Sequence, residues 1–187
     1  MTAKRIGLYG GTFDPIHNGH LRVIVELLSR KIVDQIILIP AGQPLLREAG
    51  PTVDGATRLE MCKLAIEDLP KDIKDSVYTS DIEIKRDGPS FAFDTVEEIE
   101  NSVSGEKELY WIIGSDAYAN IEKWHRHEEL QEKVNFIVID RPGDDGDGID
   151  IGALDISATQ IRNDKQLNGI SPSVRKFITE RKLYASK

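Results

Sequence analysis

A single cysteine stands among the 187 residues. Cys62 therefore has no intramolecular disulfide partner, and neither a C-x-x-C pair nor a cysteine-based zinc spacing exists. A basic excess is missing as well: 24 Lys and Arg face 32 Asp and Glu, a formal net charge of −8. Sequence-independent affinity for a phosphate polymer or an anionic membrane surface needs the opposite balance. No nucleic-acid polymer and no membrane is expected as a partner, although local geometry can still hold a small phosphate ligand. No run approaches the roughly 18 apolar residues of a membrane span. The opening Met1-Thr-Ala-Lys-Arg5 leads into a strand-like segment without the apolar stretch of a signal peptide, so a cytoplasmic location is expected. The length fits one domain, residues 1–187, and 40% apolar with 30% charged residues is the composition of a globular chain.

What is present is alternation of short apolar runs with helix-period segments. Arg5 to Tyr9 reads as a strand cut short by Gly10 and Gly11, and from Gly19 onward Leu21, Ile24, Val25, Leu27 and Leu28 fall on one helical face. Gln35–Pro40 is an unbroken apolar run closed by proline, the pattern of a parallel strand covered on both faces. A polar loop over residues 41–55 precedes an amphipathic helix at 58–66, in which Cys62 reads as core. Residues 77–85 alternate like a half-buried strand ended by Gly88-Pro89, and Asp94 opens a helix reaching about Ser102. Residues 110–113 form another strand, two short helical stretches cross 118–132, and Asn135–Ile139 is a further strand before an acidic, glycine-rich loop. Ser157-Ala-Thr-Gln160 matches the S-x-x-Q capping box. A last helix starts at Ser171-Pro172 and ends by Glu180.

This order predicts an α/β fold: a Rossmann-like, doubly wound, mostly parallel sheet with helices on both faces. Ligands of such sheets bind beyond the carboxyl ends of the strands. The chemically rich residues do follow strands: Gly10, Gly11 and Thr12, then Gln43, Ser90, Gly114, Ser115 and Asp116, and Arg141.

The most informative stretch is Gly10-Gly-Thr-Phe-Asp-Pro-Ile-His-Asn-Gly-His20, which joins a strand to a helix. Backbone N–H groups and the helix dipole make such a junction an anion site, and the two glycines would allow close approach to a phosphate. His17 and His20 are three apart and project to one side together. Metal ligation and simple surface or capping roles remain alternatives for them, although no third Cys or His ligand is signalled nearby. Gly7, Gly10 and Gly11 do not form G-x-G-x-x-G, and G-K-[ST] is absent, so neither a dinucleotide loop nor a Walker loop is indicated.

G-G-T-F-D-P-x-H-x-G-H resembles the T/H-x-G-H signature of the nucleotidylyltransferase superfamily, and Ile156-Ser-Ala-Thr-Gln-Ile-Arg162 resembles its second signature, I-S-S-T-x-I-R. Within the superfamily the chain is most similar to the bacterial nicotinate-nucleotide adenylyltransferases. Arg58, Gly88-Pro-Ser90, Asp94-Thr95, Trp111-Ile-Ile-Gly-x-Asp116, Trp124, Arg141-Pro-Gly143 and the ending Val174 to Tyr184 all fall in the family's order. The resemblance covers nearly the whole chain.

It implies adenylyl transfer from ATP to nicotinate mononucleotide, giving deamido-NAD and pyrophosphate. His17 and His20 would contact the triphosphate and steady charge on the α-phosphate, and Arg162 would grip the β- and γ-phosphates. Ser157 and Thr159 would assist with N–H groups. Gly10, Gly11, Thr12, Phe13 and Gly19 would line the path of the AMP part, with Arg141 also on the ATP side. Asp116, after Gly114, resembles the ribose-binding acid; it could equally cap the next helix. Trp124 would stack on the pyridine ring or belong to the core, whereas Trp111, inside a strand, reads as core. Gln43, Arg47, Ser90 and Ala92 would border the mononucleotide. Mg²⁺ would arrive with ATP and pyrophosphate rather than in an all-protein cage. The helical part at about 153–187 would complete the ATP site, in a monomer or weak homo-oligomer.

Two segments depart from the family pattern. P-x-x-x-P-P-H-K becomes Pro40-Ala-Gly-Gln-Pro44-Leu-Leu-Arg47, and S-Y-T-x-D-T becomes Ser90-Phe-Ala-Phe-Asp-Thr95. The second change removes a phenol and a hydroxyl beside the pyridine site, so preference for nicotinate would rest on backbone amides near Ala92 and on loop shape. Alternatives are transfer to nicotinamide mononucleotide or to another phosphomonoester such as phosphopantetheine, or a nucleotide-binding module without catalysis.

Overall fold

The computed structural model describes residues 3–44, 50–140, 148–164 and 167–185. In chain order the elements are β1 (Lys4–Gly11), α1 (Asn18–Ser29), β2 (Gln35–Pro40), α2 (Gly55–Glu67), α3 (Lys71–Lys74), β3 (Val77–Thr79) and α4 (Ile82–Lys85). They continue with α5 (Ala92–Ser102), β4 (Lys107–Gly114), α6 (Ser115–Tyr118), α7 (His127–Lys133), β5 (Asn135–Ile139), α8 (Ala158–Asp164) and α9 (Pro172–Glu180). The strands pair in parallel in the order β3-β2-β1-β4-β5. The expected doubly wound sheet is there, and its named strands are parallel throughout. Strand order reverses between β1 and β4, which opens a crevice beyond their carboxyl ends.

The alternation of side chains along β1 divides the core in two. Ile6 and Leu8 point into one apolar cluster with Phe93, Val96, Ile99 and Trp111, under α5 and α7. The opposite face packs Ile24, Leu27, Met61, Cys62, Val174 and Ile178, from α1, α2 and α9. Gly7 is needed between them, since a Cβ there would meet the Ile112 side chain at 2.9 Å. Among the described residues no helix is long and apolar enough to cross a membrane.

The strand expected over 77–85 is shorter than its alternation implies. Only Val77 to Thr79 pair, with Ile36, Ile37 and Leu38, and the ladder closes with Ser80 N–H donating to the Leu38 carbonyl at 2.9 Å. The chain then turns into α4 and crosses the loop after β2 so closely that a Cβ on Gly42 would lie 2.0 Å from the Glu83 carbonyl oxygen. That crossing takes the backbone out of the sheet plane. α5 starts two residues before Asp94, with Phe91 at its N-cap position.

Candidate active site

The loop from β1 to α1 places the two histidines. His17 occupies the N-cap position of α1, and its backbone N–H donates to His20 Nδ1 at 3.2 Å. The imidazoles stack with centroids 3.8 Å apart. Gly19 permits this, because a Cβ there would sit 3.0 Å from the His17 ring. His20 also meets Phe13 and Tyr9 edge-on, at 5.0 and 6.1 Å. Burial disfavours the imidazolium: it pushes His17 down to about 4, and burial with the adjacent His17 holds His20 well below its ordinary value. At neutral pH both imidazoles are therefore neutral, hydrogen-bonding groups and not cations. His17 Nδ1 is buried without a hydrogen-bond partner among the described residues.

The glycines before them have a packing reason. A Cβ on Gly10 would meet the Trp111 indole at 2.8 Å, and one on Gly11 would meet the Phe13 ring at 2.9 Å. The space on the Cβ side of each glycine is thus filled by a ring. Phe13 itself is buried in the core at φ 48°, in the left-handed region.

Arg162 lies one turn into α8 and reaches the same loop. Its Nη2 donates to Thr159 Oγ1 at 3.2 Å, and its Nη1 donates to the Asp14 carbonyl oxygen. The turn is closed by the expected capping box: Gln160 N–H donates to Ser157 Oγ at 3.2 Å, and Ser157 N–H donates to Gln160 Oε1 at 3.1 Å. The Ser157 N–H is thereby used within the turn.

Beyond Tyr9 lies a cleft of about 600 Å³ at the carboxyl ends of β1 and β4. Gly10, Gly11, Thr12, Ser90, Ala92, Gly114 and Trp124 all line it. Trp124 stands edge-on to Trp111 with centroids 6.2 Å apart, and its Nε1 is a buried donor without a partner among the described residues. Trp111 is core, as its strand position implies, yet one edge forms the cleft floor. Asp116 is the second residue of α6, whose N-cap position belongs to Gly114. It lines an adjoining recess with Ala117, Asn120, Lys123 and Trp124.

Ser90 serves the walls of the cleft. Its hydroxyl oxygen accepts from Gly42 N–H at 2.9 Å and Gln43 N–H at 3.1 Å, and Ser90 N–H returns a bond to the Gln43 carbonyl at 3.1 Å. Gln43 is therefore placed by its backbone; its exposed side chain is not part of the cleft lining. Arg47 and Arg141 lie outside the described residues. His17, Gly19, His20, Ser157, Thr159 and Arg162 do not line the cleft; His20 meets its wall residue Tyr9 edge-on.

Several site residues carry no local sequence signal. Glu83, 5% exposed, lines the cleft and accepts from Thr95 Oγ1 at 2.7 Å. Burial raises its carboxyl above the ordinary value, against the hydrogen bonds from Thr95 and Ser90. Arg58 is buried, donating Nη1–H to the Thr12 carbonyl at 2.7 Å and Nε–H to the Val53 carbonyl at 3.2 Å. Phe91 and His125 stack at 4.3 Å on the cleft wall. Of these, Arg58 does carry a sequence signal, its place in the family's order, whereas Glu83 carries none.

The model of the cytidylyltransferase-like family matches residues 8–175. The chain belongs to this family. Among curated relatives, a probable nicotinate-nucleotide adenylyltransferase of Bacillus pumilus is 36% identical over 98% of this chain and 100% of its own length. Proteins of the same name from Desulfatibacillum aliphaticivorans and Pseudomonas paraeruginosa are 40% and 38% identical, over 74% and 77% of this chain. The match spans only 60% and 64% of their lengths. The solved structure of Plasmodium falciparum nicotinic acid mononucleotide adenylyltransferase complexed with NaAD superposes with a TM-score of 0.81, covering 97% of both chains at 22% identity. That likeness concerns the fold. In this cytidylyltransferase-like chain Tyr9 links the two regions, lining the aromatic cleft and meeting His20 edge-on.

Proposed function

We propose that this chain transfers the adenylyl group of ATP to the phosphate of nicotinate mononucleotide, releasing pyrophosphate and forming deamido-NAD. The observation that carries the reading is the pairing of two unmet hydrogen-bonding nitrogens with two different surroundings. His17 Nδ1 stands against a second imidazole, in the loop whose Asp14 carbonyl accepts from Arg162, and Trp124 Nε1 stands in an aromatic cleft. A polyphosphate suits the first, and a flat ring with its ribose suits the second. The attacking group needs no base, since a phosphate monoester with a second pKa near ~6 is mostly dianionic at neutral pH. One phosphate oxygen forms a bond to the α-phosphorus, and the α-phosphorus to bridging-oxygen bond breaks, with the electron pair leaving on pyrophosphate. Such a displacement asks for positioning and for donors aimed at the developing charge. The imidazoles of His17 and His20 supply neutral donors, and Arg162 supplies a planar, bidentate cation for the β- and γ-phosphates. A covalent route through Cys62 is not supported: the thiol is buried in the core and burial pushes its pKa up.

On the same reading Gly10 to Phe13 and Gly19 border the AMP part, with Arg141, Ser157 and Thr159 beside the phosphates and Asp116 at the ribose. Trp124, Ser90 and Ala92, with Gln43 and Arg47, border the mononucleotide. Among the described residues no three His, Cys, Asp or Glu side chains cluster as metal ligands. Mg²⁺ is read as the counter-ion that ATP and pyrophosphate carry, held by phosphate oxygens and water. The whole chain acts as one unit, the segment at about 153–187 completing the ATP site, as a monomer or weak homo-oligomer in the cytoplasm.

The test is purified protein with ATP and Mg²⁺ and, in separate reactions, nicotinate mononucleotide, nicotinamide mononucleotide or phosphopantetheine, with products followed by chromatography. Deamido-NAD and pyrophosphate in equal amounts are expected from the first. No dinucleotide from either pyridine substrate overturns the reading.

A further inference from the structure

Asp14 lies in the loop between β1 and α1, 1% exposed, and its oxygens are engaged from three distant parts of the chain. Thr52 N–H donates to Oδ2 at 2.7 Å. The Tyr184 hydroxyl donates to Oδ1 at 2.7 Å. Arg162 Nη1 donates to the Asp14 carbonyl and stands 3.9 Å from Oδ2. The turn that follows α9 is thus fastened to the residue that also holds the guanidinium. Burial and Asp14 push the Tyr184 phenol up, so it stays a donor at any physiological pH.

We propose that Asp14 is a positioning residue for Arg162, and that Tyr184 locks Asp14 in the orientation that does this, making the C-terminal turn part of the triphosphate site. This rests on reading Arg162 as a triphosphate ligand. A guanidinium has five N–H groups in a rigid fork, and the bonds to Asp14 and Thr159 use two while fixing its plane. The carboxylate has two opposed effects. Held by Thr52 and Tyr184, it steadies the Asp14 main-chain carbonyl that accepts from Arg162 Nη1, and so the fork. Its negative charge, 3.9 Å from that guanidinium, opposes binding of the triphosphate in the ground state. Removing the charge separates them: binding tightens while transfer slows. A residue that only supported the fold would not give that split.

Asp14→Asn keeps the shape, with the amide oxygen available to Thr52 N–H and the amide nitrogen facing the Tyr184 oxygen. Inorganic tripolyphosphate, titrated calorimetrically into the full chain, reads the grip without any chemistry. Asp14→Asn is expected to bind it about three- to tenfold more tightly than the unaltered protein, the scale of one solvent-screened charge near 4 Å. With ATP and nicotinate mononucleotide, kcat is expected to fall by roughly tenfold as KM for ATP also falls, the pattern of lost alignment rather than lost binding. Tyr184→Phe retains the charge and frees its orientation, so kcat falls and tripolyphosphate affinity is unchanged. In an Arg162→Ala background either substitution should alter kcat by less than about twofold, because coupled residues do not act additively. Unchanged or weaker tripolyphosphate binding by Asp14→Asn overturns the proposal, as do effects on kcat that multiply independently of Arg162→Ala. If Asp14→Asn fails to fold, the Tyr184→Phe and Arg162→Ala cycle decides on the same criterion. Tightened tripolyphosphate binding in a protein that makes no dinucleotide would refute adenylyl transfer and uphold the Asp14 assignment.

Discussion

Acidification from pH 8 to pH 5 protonates histidines in the unfolded chain while the buried His17 resists. Its folded-state value of about 4 lies below the ordinary 6.5, so the unfolded state takes up the proton first. Stability is then unaffected above pH 6.5, declines as pH falls below it, and levels off only near pH 4. From His17 alone the loss is about 2 kcal/mol at pH 5 and about 3 kcal/mol by pH 4 and below. His20 shifts in the same direction, so the first figure is a lower bound for the pair. Glu83 works the other way, because a raised carboxyl favours the folded state on acidification, and the lowered carboxyls of Asp34, Asp54 and Asp68 lose their contribution mainly below this window. Urea unfolding at pH 8, 6 and 5 measures the loss, with a His17→Gln/His20→Gln variant as the comparison that cannot titrate there. The unaltered protein should lose at least about 2 kcal/mol more than the variant between pH 8 and 5. Equal losses in the two would mean that the histidines ionise normally in the fold and that burial does not hold them neutral. A bound polyphosphate raises the histidine values from this depressed start while leaving the rings neutral at pH 7, so tripolyphosphate binding at pH 5.5 should be accompanied by net proton uptake, seen as a buffer-dependent heat.

His20→Ala removes one fixed donor and is expected to raise the barrier by about 2–4 kcal/mol, lowering kcat far more than either KM; an unchanged kcat removes this histidine from the chemistry. Trp124→Ala should raise KM for the mononucleotide by about tenfold, the scale of a lost ring stack with its contact area, and equal weakening of ATP binding would move the pyridine subsite elsewhere. Glu83→Gln keeps an acceptor for Thr95 without burying a charge. The variant should therefore gain stability relative to the unaltered protein as pH rises from 4 to 8, and a constant difference in urea midpoint across that range would show that Glu83 ionises freely in the fold.

How much of this could be read from residues alone depends on how far apart the partners stand. β1, β2, β4 and β5 announce themselves as continuous apolar runs, because each is covered on both faces and no polar position interrupts them. The Ser157 capping box closes within four residues and was legible down to its reciprocal bonds. The edge strand β3 is different: alternation continues past Thr79, but the chain is bent away by the crossing of Gly42 and Glu83, 41 residues apart in sequence and juxtaposed only by the fold. Glu83 looks like one acid among many until Ser90 and Thr95 are folded over it. Asp14 is placed by a signature, yet its partners lie 38, 148 and 170 residues away, beyond any window in which spacing has meaning. The histidines show the boundary most clearly. Their positions follow from a three-residue interval on a helix start, but their charge does not. It is set by Phe13, Tyr9 and the mutual stacking that remove water from both rings. Placement at this site is local information, whereas protonation state belongs to the packed molecule.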